Sequence, residues 1–179
     1  MDLAVILTVI TLLAILAASV LSVRYFMSRK GFRVFSEMRL HLVLILAVTL
    51  VFSLISYNTY VMKTEPAMIH GISSILFLLL WFIYSFYMAG QKKRNYIPFL
   101  TLYWGAGAFL ILFGLLTMFP FVFYPAVFIY TVPLYGGFSY FFDVLPSFTL
   151  EFASIALLYF SSLAGYGMGR LFLANRMSQ

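Results

Sequence analysis

The sequence contains no cysteine, which excludes disulfides, thiol catalysis and cysteine-held metal or cluster sites. It is nearly as poor in charge: Asp, Glu, Lys and Arg make up 9% of its 179 residues, against about a quarter in an ordinary soluble domain. The two histidines, His41 and His70, offer no metal spacing such as HxxxH, so no metal and no cofactor is expected. Neither GxSxG nor a phosphate loop is present to support catalysis. No Asp, Glu, Lys or Arg falls at the middle of an apolar run, where an ion-coupled transporter ordinarily carries one. A net charge of +6 does not imply nucleic acid either, because the basic residues are scattered through short segments between those runs.

What the chain has is apolar length. Its residues are 64% hydrophobic and 20% aromatic. The apolar runs 3–23, 41–62, 67–90, 97–119 and 147–173 each reach the roughly 20 residues needed to cross a hydrocarbon core of about 30 Å. They predict an all-α integral membrane protein, a single membrane domain over 1–179 with a bundle of five transmembrane helices. Pro66, Pro98 and Pro146 sit at span starts, where a missing N–H costs little and a fixed φ suits the first turn.

Charge orients the bundle. With five crossings, Arg24, Arg29, Lys30, Arg33, Arg39, Lys92, Lys93, Arg94, Arg170 and Arg176 share one face. Only Lys63 lies on the other, with Asp2, Glu65, Asp143 and Glu151. Positive loops stay cytoplasmic, so the N-terminus is expected extracytoplasmic and the C-terminus cytoplasmic, in a prokaryotic plasma membrane. The first run has Asp2 and no basic residue before it, the pattern of a retained helix, not a cleaved signal. The segment 24–41 alternates basic residues with Phe26, Met27, Phe32, Val34, Phe35 and Met38. It reads as a topology signal that can also lie on membrane lipids.

The stretch 120–146 is read as an aromatic extracytoplasmic cap, interfacial or partly re-entrant. A sixth crossing there would leave almost no connection after Phe119 and would place Pro125 and Pro133 inside a lipid-embedded helix. Tyr124, Tyr130, Tyr135 and Tyr140 suit the headgroup level, and Gly136-Gly137 reads as the turn of the cap.

Candidate polar groups gather at the same face. His70, Glu151, Asp143 and Glu65 lie at or near helix starts, and Tyr124, Phe128 and Tyr130 are expected to cover them in a speculative ligand pocket. Glu65 and Glu151 also have a plain explanation, because acids near helix N-termini are stabilised by the helix dipole. Thr8, Thr11, Ser53, Ser56, Ser73, Ser74, Ser85 and Ser154 are expected to bond to their own helix backbones.

Small residues recur at helix-packing spacings: Ala14, Ala18 and Ser22; Gly107 and Gly114; Ser161, Gly165 and Gly169. They let backbones approach closely, either within the chain or against another membrane protein or a second copy of this one. The leading functional expectation is a non-catalytic subunit or accessory of a larger membrane assembly, such as a transport system. The alternative is an outer-leaflet protein that binds a lipid or lipophilic small molecule. A small lipid-modifying enzyme using His70 and Glu151 comes third.

Overall fold

The computed structural model describes residues 24 and 34 and the ranges 36–62, 64–91 and 95–177. The predicted first span 3–23, with Ala14, Ala18 and Ser22, lies outside the described residues, as do Lys63 and 92–94. The helices are α1 (Arg39–Val61), α2 (Met68–Gly90), α3 (Tyr96–Leu116), α4 (Pro120–Tyr130), α5 (Val132–Phe142) and α6 (Phe148–Met177), and no strand occurs among the described residues. Helices α1, α2, α3 and α6 are each long and apolar enough to cross a membrane, with mean hydropathies of 2.3, 1.9, 2.0 and 1.4. Counting α4 and α5 together as one span would make five.

Side-chain pairings set the directions. His41 meets Tyr84 and Thr59 meets His70, so α1 and α2 run antiparallel. Tyr84 packs on Tyr96 and Trp81 on Tyr103, at ring separations of 6.1 and 5.6 Å, so α3 is antiparallel to α2. Ser161 Oγ donates to the Leu78 carbonyl, Gly165 abuts Phe82 and Gly169 abuts Phe86, so α6 is parallel to α2. The end of α1, the start of α2, the end of α3 and the start of α6 therefore share one edge, called here the upper edge.

Helix α4 descends from that edge along α3, with Phe123 against Gly114 and Tyr130 against Gly107. Its 11 residues rise only about 16 Å, half the thickness of a hydrocarbon core. The chain then bends by 66° into α5, which crosses against α1 and α2 and returns to the upper edge through residues 143–147. Both ends of the pair meet the same edge, so α4 and α5 turn back within the bundle and do not traverse it.

Local chemistry explains the break. Pro133 cannot donate to the Ile129 carbonyl and disfavours helical backbone at Val132. Thr131 turns there, at φ −120° and ψ −47°. Backbone groups at the break find hydroxyls on neighbouring helices. Ser53 Oγ donates to the Phe128 carbonyl at 2.6 Å, and Ser74 Oγ donates to the Pro133 carbonyl while accepting from Gly137 N–H.

Two expectations for this stretch are corrected. Tyr124 and Tyr140 are exposed, but Tyr130 and Tyr135 are buried inside the bundle, not at a surface belt. Gly136 and Gly137 are not a turn but helical residues at a close crossing. A Cβ at Gly136 would stand 2.7 Å from Ser56 Oγ and 2.8 Å from His70 Cβ, and one at Gly137 would stand 2.7 Å from Ser74 Cβ. Only a bare backbone lets α5 seat between α1 and α2.

The core is aromatic. Trp81, Tyr103, Trp104 and Tyr130 pack around one another at ring separations of 4.9 to 5.9 Å. Val34 and Met38, expected on an interfacial segment, are buried in this core as well. Helix α1 is inverted relative to a water-soluble helix: Leu40, Val43, Leu44, Val51 and Leu54 face outward, while Thr49, Ser53, Ser56 and Thr59 are buried.

Candidate functional site

Glu151 occupies the first turn of α6, and the Leu150 and Ser154 faces beside it turn its side chain into the bundle. Glu151 is 5% exposed; Glu37, Glu65 and Asp143 are all exposed. Tyr60, from the last turn of α1, donates its hydroxyl to Glu151 Oε1 at 3.1 Å. Oε2 is buried with no hydrogen-bond partner. A helix N-terminus favours an acid there, but it does not explain an oxygen sealed from water and left unpaired, which is costly and uncommon.

Further tyrosines adjoin Tyr60. Tyr135 packs edge-on to Tyr60, with ring centroids 4.9 Å apart, and its own hydroxyl donates to the Val144 carbonyl at 3.3 Å. Tyr124, on α4, lies within electrostatic reach of Tyr60. One turn below Tyr60 on α1, Ser56 Oγ is buried against Gly136 and has no partner.

His70 is placed differently. Ala67 N–H donates to Nδ1 at 2.9 Å, half of a capping box in which histidine takes the place of glutamate at the third helical position. That bond leaves the proton on Nε2, which faces Thr59 Oγ1 at 3.3 Å. Both ring nitrogens are thus occupied at the start of α2. Thr59 and Tyr60 are consecutive on α1 and point to different sides, so His70 and Glu151 flank the last turn of α1 without facing a shared space.

The other predicted site residues separate likewise. Glu65 is exposed in the α1–α2 connection, and Asp143 is the exposed left-handed cap of α5, at φ 51°. Phe128 packs edge-on to Tyr57 at 5.7 Å, and Tyr130 belongs to the aromatic core beside Gly107. Of the three proposed covering residues, Tyr124 lies within electrostatic reach of Tyr60, and none is hydrogen-bonded to Glu151.

A second set of unpaired buried atoms lies deeper, around the α4–α5 break: Thr49 Oγ1, Tyr103 OH, Trp104 Nε1 and Thr131 Oγ1. Tyr103 and Thr49 adjoin without a well-directed bond between them. The expectation that hydroxyls bond to their own helices holds for Ser73 and Ser154. It fails for Ser74 and Ser85, whose partners are on α5 and at Tyr96 of α3, and for Ser56, which has none.

The helix-packing residues are engaged inside the chain. Gly165 and Gly169 meet α2, Ser161 bonds to Leu78, and Gly107 and Gly114 meet α4. A shallow apolar groove opens between α2, α5 and α6, lined by Leu78, Leu134, Phe138, Phe141, Phe142 and Leu157. Neither Glu151 nor Tyr60 lines it. No three of His, Asp and Glu come together as metal ligands among the described residues.

Sequence reasoning singled out Glu151 but not Tyr60, and gave Tyr135 and Ser56 other roles. A signal existed: Thr49, Ser53, Ser56 and Tyr60 recur at three- and four-residue intervals on an otherwise apolar helix, marking its inner face. Compared with known protein families, characterised proteins and solved structures, the chain matches none.

Proposed function

We propose that this chain is an integral membrane protein of a prokaryotic plasma membrane, with its upper edge extracytoplasmic, that binds a lipophilic small molecule by a polar head at Glu151. The observation that carries this reading is the buried carboxyl with one oxygen unpaired and the other bonded by Tyr60, on whose ring Tyr135 packs. Aromatic walls supply buried area, and a small number of polar groups orient the head. The outward apolar face of α1 and the hydropathy of the long helices support a lipid environment. The reading as a subunit of a larger assembly drew on small-residue stripes, short loops and the lack of autonomous machinery. The stripes within the described residues are committed to contacts inside the chain, so they no longer argue for a partner.

The orientation is tested by single cysteines and an impermeant maleimide on intact cells. A cysteine replacing Asp143 is expected to react and one replacing Gln91 to stay unlabelled, both positions being exposed at opposite edges. Reaction at position 91 without reaction at position 143 would invert the proposal.

Binding is tested by native mass spectrometry of the full-length protein after gentle extraction. The wild type is expected to retain a lipophilic molecule at about one per chain, as a single pocket of this kind implies. Glu151→Leu, folded by circular dichroism, is expected to lose it. Equal retention by the two proteins removes Glu151 from the site.

A further inference from the structure

We propose that the group received at Glu151 is a protonated amine, the ammonium head of a lipophilic chain. The inference rests on the ligand-binding reading above and narrows it by chemistry. Oε2 offers free lone pairs and lacks a partner. The Tyr60 hydroxyl spends its proton on Oε1, so its own oxygen remains an acceptor. Tyr60 offers ring surface beside the carboxyl, and Tyr135 packs edge-on to it. Carboxylate, phenol oxygens and aromatic rings together suit a cation that donates several hydrogen bonds.

The surroundings supply no competing cation. Among the described residues no Lys or Arg pairs with Glu151, and His70 is held by Ala67 and Thr59. An anionic head would meet the carboxylate and find few donors. A neutral hydroxyl head would complete one bond and leave the charge unanswered. An ammonium satisfies the buried oxygen and neutralises it, while its alkyl chain stays among apolar side chains and lipid.

The test titrates dodecylammonium, dodecanol and dodecanoate into the full-length protein in phosphatidylglycerol nanodiscs, read by calorimetry. The amine is expected to bind at least about tenfold more tightly than the alcohol, and the carboxylate not to bind, the difference being one charge-assisted contact. Glu151→Gln keeps the shape and is expected to weaken the amine about ten- to hundredfold while leaving the alcohol unchanged. Tyr60→Phe, which keeps the ring and removes an acceptor, is expected to weaken the amine by a smaller factor and serves if Glu151→Gln does not fold.

If amine and alcohol bind equally and neither variant alters either affinity, the ammonium assignment falls and the lipophilic site remains. If none of the three probes binds, both readings fall. Adding phosphatidylethanolamine to the discs separates two sources of the head. A reduced amine affinity identifies a lipid headgroup as the occupant, and an unchanged one identifies a free amine.

Discussion

Gly165→Ala is expected to destabilise the protein by roughly 2–3 kcal/mol, whereas Gly167→Ala, two residues along the same helix, is expected to stabilise it by up to about 1 kcal/mol. The contrast comes from what each new methyl would meet. At Gly165 it would clash with the Phe82 carbonyl oxygen and stand 3.0 Å from the carbonyl carbon, backbone atoms that no rotamer change can move. Helices α2 and α6 would have to separate along the most extensive interface in the bundle. At Gly167 nothing lies within 4 Å, so only the intrinsic helix preference for alanine acts. Thermal or detergent-induced unfolding in micelles, followed by circular dichroism, reads both. Equal shifts for the two variants would sink the close α2–α6 contact.

The long helices were legible in the sequence. The runs 41–62, 67–90, 97–119 and 147–173 correspond to α1 (Arg39–Val61), α2 (Met68–Gly90), α3 (Tyr96–Leu116) and α6 (Phe148–Met177), differing by at most four residues at their ends. Runs of that length leave one option for the backbone, since each N–H and C=O must be satisfied within its own segment. At the end of α3, Met118 takes a left-handed conformation (φ 50°) and starts the reversal into α4 three residues earlier than apolarity alone suggests.

The stretch 120–146 was read as interfacial or partly re-entrant, but its path as two helices was not legible, because the roles of proline and glycine there depend on neighbours. Pro120 falls in a first turn, where no backbone donor is required, whereas Pro133 opens α5 and, having no N–H for Ile129, also ends α4. Pro125 does sit inside α4, and the bond it forfeits is to Phe121 in the exposed upper turn. A diglycine between aromatic residues reads equally as a turn or as a contact. What decides for contact is Ser56, His70 and Ser74 on two other helices, far away in the chain. The same dependence governs the site. Glu151 stands out by charge alone, but Tyr60 becomes meaningful only once α1 and α6 are known to meet at the upper edge.

Gly136→Val is expected to unseat α5, and the effect should be visible as new chemical access to a buried position. Ser139 lies one turn beyond Gly136 and is 8% exposed. In Ser139→Cys, the introduced thiol is expected to resist maleimide in an otherwise unaltered protein, although its sequence neighbours Tyr140 and Phe141 are exposed. Valine at 136 would place its Cβ 2.7 Å from Ser56 Oγ, 2.8 Å from His70 Cβ and 3.2 Å from the His70 carbonyl oxygen, before its two methyls are counted. Overpacking of this kind costs about 1–3 kcal/mol, and α5 is short, with 11 residues and a break at Thr131 to hinge on. The helix is therefore expected to swing out locally while the long helices stay folded. The thiol at position 139 should then label at least about tenfold faster, the ratio corresponding to about 1.4 kcal/mol of lost seating. Because Tyr135 precedes Gly136 and packs on Tyr60, the same variant is expected to disturb the Glu151 site, whereas Gly167→Ala should leave it intact. Rapid labelling of Ser139→Cys without the valine would mean that 132–142 rests on the bundle surface as an interfacial cap. Slow labelling in both backgrounds would mean that the diglycine is not where α5 is held.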